Sequence, residues 1–180
     1  MAAQRIAVLA PGGGYSVQGP LLAYAGLAAE RRGADVRPID WRFPEDFDDS
    51  LKQRFDLVFR QVAEALADDT ALVVGKSLGS LAAGLVAVRG LPAIWFTPLL
   101  TLPEVAEAIQ AAERPPLLIG GGADQAWDGA VARRISPYVL EIPDADHALY
   151  VPGPVSATVA AAGRVADAVE EFLDTQVWPD

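Results

Sequence analysis

The chain has 180 residues, of which 52% are hydrophobic and 21% charged, the balance expected of one globular domain over residues 1–180. Its formal net charge of −10 leaves no basic surface for nucleic acid or an anionic membrane. The lack of cysteine excludes disulfides, thiolate metal sites and a cysteine nucleophile, and no apolar run is long enough for a signal peptide or a membrane span. We therefore expect a cytoplasmic protein.

Six short apolar runs recur along the sequence and predict six β-strands. They are continuous rather than alternating, as expected of strands that are covered by helices on both faces. In chain order the runs are residues 5–10, 35–39, 71–74, 92–96, 116–120 and 139–142.

The segments between these runs predict helices. Residues 19–33 place Pro20 in a first turn and Gly33 at a stop, and residues 78–90 and 102–113 predict two more helices. In residues 50–66 an apolar face at 3.6-residue spacing is formed by Leu51, Phe55, Val58, Phe59, Val62 and Leu66. In residues 155–173 the corresponding face is formed by Val155, Val159, Ala162, Ala166, Val169 and Leu173.

Strands that alternate with helices predict a three-layer α/β/α sandwich around a mostly parallel sheet of about six strands. In such sheets, ligands bind beyond the carboxyl ends of the strands. The loops that directly follow the six runs are therefore the places where functional side chains are expected.

The segment GKSLG fits two motifs that exclude each other. Gly75, Lys76 and Ser77 resemble the end of a phosphate-binding P-loop, but Thr70 stands where that loop needs glycine, and stiff apolar residues follow it. The same segment is G-x-S-x-G, a sharp turn between a strand and a helix that presents a nucleophilic serine in a strained conformation. Gly75 and Gly79 are the small residues that this turn requires. The context favours Ser77 as a nucleophile, with Lys76 expected in solvent.

A serine hydroxyl needs a base to remove its proton, and the base needs an acid to orient it. His147 is the only histidine in the sequence, and it follows the last predicted strand. The candidate acids are Asp124, Asp128, Asp144 and Asp146. We favour Asp124, which follows the fifth run on a glycine-rich turn, because Asp128 is expected inside the next helix and a near neighbour seldom reaches back to the imidazole. This chemistry requires no cofactor and no metal.

The oxyanion that develops during acyl transfer needs two N–H donors. The expected donors are the backbone of Leu78 and one residue within Gly12–Tyr15, with Gly13 preferred, because consecutive glycines let bare backbone approach a ligand. The alternative, a dinucleotide fingerprint, is disfavoured because Val17 stands where its third glycine belongs. Side chains expected either to wall the pocket or to pack as ordinary core or rim are Tyr15, Trp41, Phe43, Thr97 and Trp127, together with the rest of the FTPLL loop at residues 96–100.

With Ser77, Asp124 and His147 in that chain order, and a glycine loop after the first strand, the sequence resembles the α/β-hydrolase superfamily. It is most similar to the small single-domain bacterial hydrolases, over essentially the whole chain. The resemblance implies a nucleophile at Ser77, an acid at Asp124, a base at His147, and an oxyanion hole formed by Leu78 and the PGGG loop.

The sequence departs from that family in three places. The family core usually has eight strands, so six runs imply that the first two strands are missing. Pro11 replaces the usual histidine before the oxyanion glycine. About six residues separate the fourth run from the next helix, too few for a cap domain, which implies a shallow and open site.

These features predict a serine hydrolase, similar to a carboxylesterase or thioesterase, that acts on a small acyl substrate through an acyl-enzyme intermediate. The alternative is a hydrolase-like fold that binds a ligand or partner without turnover. A nucleotide-binding protein is a third and more distant interpretation.

Overall fold

The computed structural model describes residues 4–67 and 71–179, so Thr70, on which the P-loop spacing test depends, lies outside the described residues. A parallel sheet of six strands, in the order β2-β1-β3-β4-β5-β6, forms the centre of the described chain. The strands are β1 (Ile6–Ala10), β2 (Asp35–Pro38), β3 (Leu72–Lys76), β4 (Ala93–Phe96), β5 (Leu117–Gly121) and β6 (Val139–Ile142). The predicted strands and fold class are confirmed.

Helices cover both faces of the sheet. They are α1 (Pro20–Glu30), α2 (Leu51–Leu66), α3 (Ala83–Val88), α4 (Pro103–Gln110), α5 (Gly129–Ile135) and α6 (Val155–Phe172). Helices α1 and α6 pack on one face, against alternate strand residues such as Leu9 and Ile119. Helices α2 to α5 pack on the other face, against Val8, Val73 and Leu118. The two apolar cores make the sheet the middle of three layers.

Strand β3 is longer at its carboxyl end than its apolar run, residues 71–74, predicted. Strand β3 continues through Gly75 and Lys76, which pair with Trp95 and Phe96 of β4. The ladder to a neighbouring strand therefore carries the extended backbone up to the residue before Ser77. This extension places Lys76 inside the sheet, although a lysine is not an apolar signal for a strand.

The chain after β3 enters its helix through a tighter turn than predicted. Residues Ser77–Ala82 form a 3₁₀ segment, and the α-helix begins only at Ala83. The predicted continuous helix over residues 78–90 is wrong in this first part. The 3₁₀ winding is a common way to start a helix where the chain turns sharply.

Two predicted helix faces are rotated in the structure. In α2, Phe59 is 53% exposed while Leu57, outside the predicted face, is buried. In α6, Val155 and Val159 are exposed, and the buried stripe is Ala161, Val165, Val169 and Phe172. Both helices are apolar on two overlapping stripes, and the neighbouring layers determine which one is buried.

No helix in the described ranges is long and apolar enough to cross a membrane. Within the same ranges, no group of three or more histidine, aspartate and glutamate side chains is arranged to hold a metal ion.

Candidate active site

The turn after β3 presents Ser77 in a left-handed backbone conformation. Its φ is +48°, a region that residues with a Cβ seldom occupy. A Cβ on Gly75 would collide with the Trp95 ring, and one on Gly79 would collide with the Ala10 carbonyl oxygen. The two glycines thus allow β1, β3 and the following turn to pack closely, and this packing holds the strained serine at the carboxyl edge of the sheet.

Ser80 ties this turn to the loop after β4. Its side chain is fully buried, and its Oγ donates a hydrogen bond to the Ser77 carbonyl oxygen at 2.6 Å. Ser80 Oγ also accepts a hydrogen bond from the Leu99 backbone N–H at 3.2 Å. Both bonds fix the backbone of Ser77 and bring Leu99 beside it.

The structure brings Ser77, His147 and Asp124 together in a hydrogen-bonded chain. His147 Nε2 lies 2.8 Å from Ser77 Oγ, and His147 Nδ1 lies 2.8 Å from Asp124 Oδ2. An ionised carboxylate can only accept, so Nδ1 carries the proton and Nε2 accepts the Ser77 hydroxyl. The imidazole is therefore in the tautomer that can take a proton from Ser77.

Asp124 is held in place by the loop between β5 and α5. It is buried, and its Oδ1 accepts the Ala126 N–H at 2.9 Å, which leaves Oδ2 for the imidazole. A Cβ on Gly121 would collide with the Ala145 carbonyl oxygen. The loops after β5 and β6 therefore pack backbone against backbone, and this contact brings Asp124 to His147.

The other candidate acids do not pair with the imidazole. Asp146 accepts hydrogen bonds from the N–H groups of Ala148 and Tyr150 at 2.8 and 2.9 Å, and so it shapes the loop that carries His147. Asp144 occupies a left-handed position in the turn before it, with φ of +58°. Asp128, predicted to lie inside a helix, is instead the residue that caps α5.

The two predicted oxyanion donors lie on loops that meet beside Ser77. A Cβ placed on Gly12 would lie 3.6 Å from the Ser77 Cβ, and one on Gly13 would lie 3.8 Å from a Leu78 methyl carbon. Both distances are ordinary van der Waals contacts, so the glycine loop packs directly beside Ser77 and Leu78. Gly13 and Leu78 both line the cavity at Ser77.

A cavity of about 380 Å³ opens at Ser77, and we call it the Ser77 pocket. Its walls are polar and apolar in nearly equal parts, and the Phe43 and Phe47 rings meet edge to face with centroids 5.0 Å apart. A bidentate ion pair between Arg54 and Asp49 lies at its edge. The lining residues are Gly13, Phe43, Phe47, Asp49, Arg54, Leu57, Ser77, Leu78 and Leu99.

Of the five side chains predicted individually as walls, only Phe43 lines the Ser77 pocket. Tyr15 and Trp41 line the neighbouring cavity along the glycine loop, where the Trp41 indole donates to the Pro11 carbonyl oxygen at 3.1 Å. Trp127 is buried against Gly120, and its indole donates to Glu141 at 2.7 Å, so it packs as core, the second of the two alternatives that the sequence left open.

Thr97 is fully buried in a left-handed conformation and also does not line the pocket. Its hydroxyl accepts a hydrogen bond from the Lys76 ammonium instead. Leu99, in the predicted wall loop at residues 96–100, does line the pocket. Sequence reasoning missed Phe47 and Leu57, because only the packing of α2 and of the loop before it brings them to Ser77.

Lys76 is buried at 2% exposure, so the expectation that it lies in solvent is wrong. Its Nζ donates to Thr97 Oγ1 at 3.2 Å and to the His147 carbonyl oxygen at 3.1 Å, and it lies 4.8 Å from the centre of the Tyr15 ring. Burial lowers the pKa of Lys76 to about 8, although the charge of Asp124 acts in the opposite direction.

No protein-family model matches the chain, and no curated protein matches it either. Among solved structures, Est1E from Butyrivibrio proteoclasticus matches with a TM-score of 0.74 at 14% identity, over 98% of this chain and 90% of that one. A dienelactone hydrolase from Anabaena variabilis matches with a TM-score of 0.68 at 22% identity, over 98% and 88%. The chain has the α/β-hydrolase fold.

This hydrolase fold is a trimmed one, with six strands where eight are usual in the family that the sequence resembles. Six residues, 97–102, join β4 to α4, so no cap is inserted at that point. An α/β serine hydrolase from Xanthomonas campestris, described as having no lid, also matches, with a TM-score of 0.61 at 21% identity over 96% of this chain and 84% of that one.

Proposed function

We propose that this protein is a serine hydrolase that cleaves ester-type bonds of small acyl substrates. The observation that carries the proposal is the chain of two 2.8 Å contacts from Ser77 through His147 to Asp124. A hydroxyl bonded to a neutral imidazole, which is in turn oriented by a buried carboxylate, is the arrangement that converts serine into a nucleophile.

In the proposed first step, Ser77 Oγ attacks the substrate carbonyl carbon while His147 Nε2 takes the hydroxyl proton. Asp124 keeps the proton on Nδ1 and stabilises the imidazolium that forms. The backbone N–H groups of Leu78 and Gly13 donate to the oxyanion. The imidazolium then gives its proton to the leaving group, and an acyl-serine remains.

In the second step, His147 takes a proton from the water that attacks the acyl-serine. The imidazolium then returns this proton to Ser77 Oγ as the acid is released. The same oxyanion donors serve both steps, because both pass through a tetrahedral intermediate. The half-exposed imidazole, whose side chain is 42% exposed, leaves room for water to reach it.

The Ser77 pocket supports an acyl group of modest size. Its volume of about 380 Å³ and its wall of Phe43, Phe47 and Leu99 suit a short aliphatic or an aromatic acyl chain. A structure of Est1E holds ferulic acid, an aromatic acid, so aromatic esters belong in the substrate panel beside short-chain esters and thioesters.

The proposal is tested with a fluorophosphonate probe, which labels serines that are activated as nucleophiles. The wild-type protein is expected to be labelled once, at Ser77, and labelling is expected to vanish in Ser77→Ala. Ser16→Ala is the matched control, because Ser16 is an exposed serine on the glycine loop at the same edge of the sheet. Labelling that persists in Ser77→Ala would remove Ser77 from the proposed role.

A panel of p-nitrophenyl esters and thioesters separates the hydrolase from the alternative, a hydrolase fold that only binds. We expect hydrolysis of at least the short acyl esters, lost in Ser77→Ala. No probe labelling together with no turnover across the panel would favour the binding module.

A further inference from the structure

Lys76 is a buried charge at the edge of the candidate site that the proposed mechanism does not use. It is the last residue of β3 and directly precedes Ser77. Because it is only 2% exposed, it is closed off from any substrate in the Ser77 pocket. Its ammonium group therefore acts on the protein itself.

The Lys76 side chain connects the end of β3 to the loops that follow three other strands. It starts from β3, bonds Thr97 after β4 and the His147 carbonyl oxygen after β6, and lies against the Tyr15 ring on the loop after β1. A Cβ on Gly12 would lie 3.7 Å from its Cδ. One cation thus holds together most of the loops that form the site.

A buried ammonium group at this position lowers the stability of the fold relative to an apolar side chain. Taking a charge out of water destabilises the fold unless partners compensate, and an apolar side chain of similar volume is often at least as stable. The charges of Asp124 and Asp146 compensate only in part, since burial still lowers the pKa of Lys76. A residue that weakens the fold beside a reactive centre is typical of a trade of stability for activity.

The His147 imidazole depends on such anchors, because its side chain is 42% exposed and packing alone does not fix it. Asp146 fixes the loop on the far side through the N–H groups of Ala148 and Tyr150. Lys76 binds the carbonyl oxygen of His147 itself. The direction of the imidazole toward Ser77 follows from these backbone contacts.

We propose that Lys76 is a positioning residue of the hydrolase site, which holds the backbone of His147 so that the imidazole reaches Ser77 and Asp124 together. The inference rests on the proposed function, because it assigns Lys76 a part in the same reaction. It predicts that loss of the amine lowers turnover without unfolding the protein.

The first test replaces each of the two lysines of the sequence with methionine. Lys76→Met is expected to lower kcat about 10- to 100-fold with little change in KM, since a small displacement of a reacting group costs this much. Its melting temperature is expected to stay level or rise. Lys52→Met, the same change at an exposed lysine on α2, is expected to leave both unchanged. Equal kcat in both variants would overturn the proposal.

A chemical rescue then separates the amine from the space that it fills. The chain has no cysteine, so Lys76→Cys carries the only thiol, and 2-bromoethylamine rebuilds a lysine-like amine on it in the unfolded chain. Alkylation with 1-bromopropane rebuilds the length without the amine. Both forms are refolded beside wild type that has been taken through the same cycle. We expect the aminoethyl form to be at least tenfold more active than the propyl form. Equal recovery with the propyl group would overturn the proposal.

A third readout is independent of turnover. The single histidine gives one set of imidazole signals in NMR spectra, and the Nδ1 proton bonded to Asp124 is expected far downfield in wild type. In Lys76→Met this signal is expected to broaden or shift. An unchanged signal with unchanged kcat would overturn the positioning role, whereas a shifted signal in a protein that hydrolyses no ester would overturn the proposed function alone.

Discussion

Two cavities of nearly equal size open at the same edge of the sheet, and one of them contains Ser77, the proposed nucleophile. The Ser77 pocket measures about 380 Å³, and a groove between α1 and α6 measures about 390 Å³. The groove, which we call the α1–α6 groove, is lined by tyrosines and small apolar residues, among them Tyr15, Tyr24, Tyr150, Val159, Ala162 and Ala166.

The difference lies in what the hydroxyl groups can reach. Thr158 lines the α1–α6 groove, but its Oγ1 bonds the backbone N–H and carbonyl oxygen of Val151 and not a basic side chain. Ser77 instead bonds the one histidine of the sequence. Cavity volume therefore does not locate the site in this protein, and the hydrogen bonds of the lining residues do.

The largest expected effect on turnover comes from replacing Asp124, the proposed acid. Asp124→Asn is expected to lower kcat by about 10⁴-fold, because the amide favours the wrong imidazole tautomer. The measurement is steady-state hydrolysis of the best ester in the panel, with circular dichroism to establish that the fold is kept. Turnover that survives this change would point to a reactive centre elsewhere, with the α1–α6 groove as the first place to look.

Asp128→Asn is the matched control for that variant. Asp128 caps α5 through the N–H groups of Ala130 and Val131 and does not contact His147. Asparagine is an equally good cap, so both stability and turnover are expected to remain near the wild-type values.

The Lys76 ammonium group lies against the Tyr15 ring, and this ring lines the α1–α6 groove. The charge state of Lys76 is the next property to test. The pKa of Lys76 is lowered from 10.5 to about 8 by burial. Below pH 8 both the folded and the unfolded chain carry the proton, and the folded state bears the full cost of the buried charge. Between pH 8 and 10.5 the folded chain loses the proton first, so its relative stability rises with pH.

The unfolding free energy of wild type, measured against that of Lys76→Met, is expected to rise by about 2 kcal/mol between pH 7 and pH 10. Urea unfolding at several pH values measures it. Lys52→Met provides the baseline, since Lys52 is exposed beside Asp56 and its difference from wild type is expected to stay nearly flat over this range. A flat difference for Lys76→Met as well would mean that no charge is buried there.

The residues of the proposed triad could be predicted from sequence, because the proposed chemistry restricts the residue types and the turn at Ser77 restricts the neighbours. Only a backbone with Gly75 and Gly79 fits between Trp95 and Ala10, and one histidine leaves no choice of base. These constraints are local, or they follow from the order of the strands. The six strands were predictable for the same reason, since buried parallel strands are continuous apolar runs.

The burial of Lys76 and of Trp127 could not be predicted in this way. Lys76 is buried because loops from distant parts of the chain close over it, and its own neighbours in the sequence carry no sign of that. Trp127 lies outside the Ser77 pocket, and Glu141 on β6 accepts its indole N–H. In α6, two overlapping apolar stripes were available, and packing against the sheet selected the one that includes Val165.

The smallest expected effects on kcat/KM come from replacing one exposed aromatic side chain in each cavity. Phe43 lines the Ser77 pocket at 48% exposure, and Tyr24 lines the α1–α6 groove at 46%. Phe43→Ala is expected to lower kcat/KM for aromatic acyl esters about tenfold, since it removes an aromatic contact worth about 1 kcal/mol and apolar wall besides. Acetyl esters, too short to reach that ring, are expected to change little.

Tyr24→Ala is expected to change kcat/KM less than about twofold for every ester, because its cavity holds neither the acyl group nor the nucleophile. The ratio of aromatic to acetyl rates in the two variants is the quantity to compare, since it cancels any general loss of active protein. A drop in that ratio for Tyr24→Ala, equal to the drop for Phe43→Ala, would mean that the substrate extends across Tyr15 into the α1–α6 groove. The two cavities would then be halves of one binding site, joined at the one side chain that borders the groove and the glycine loop.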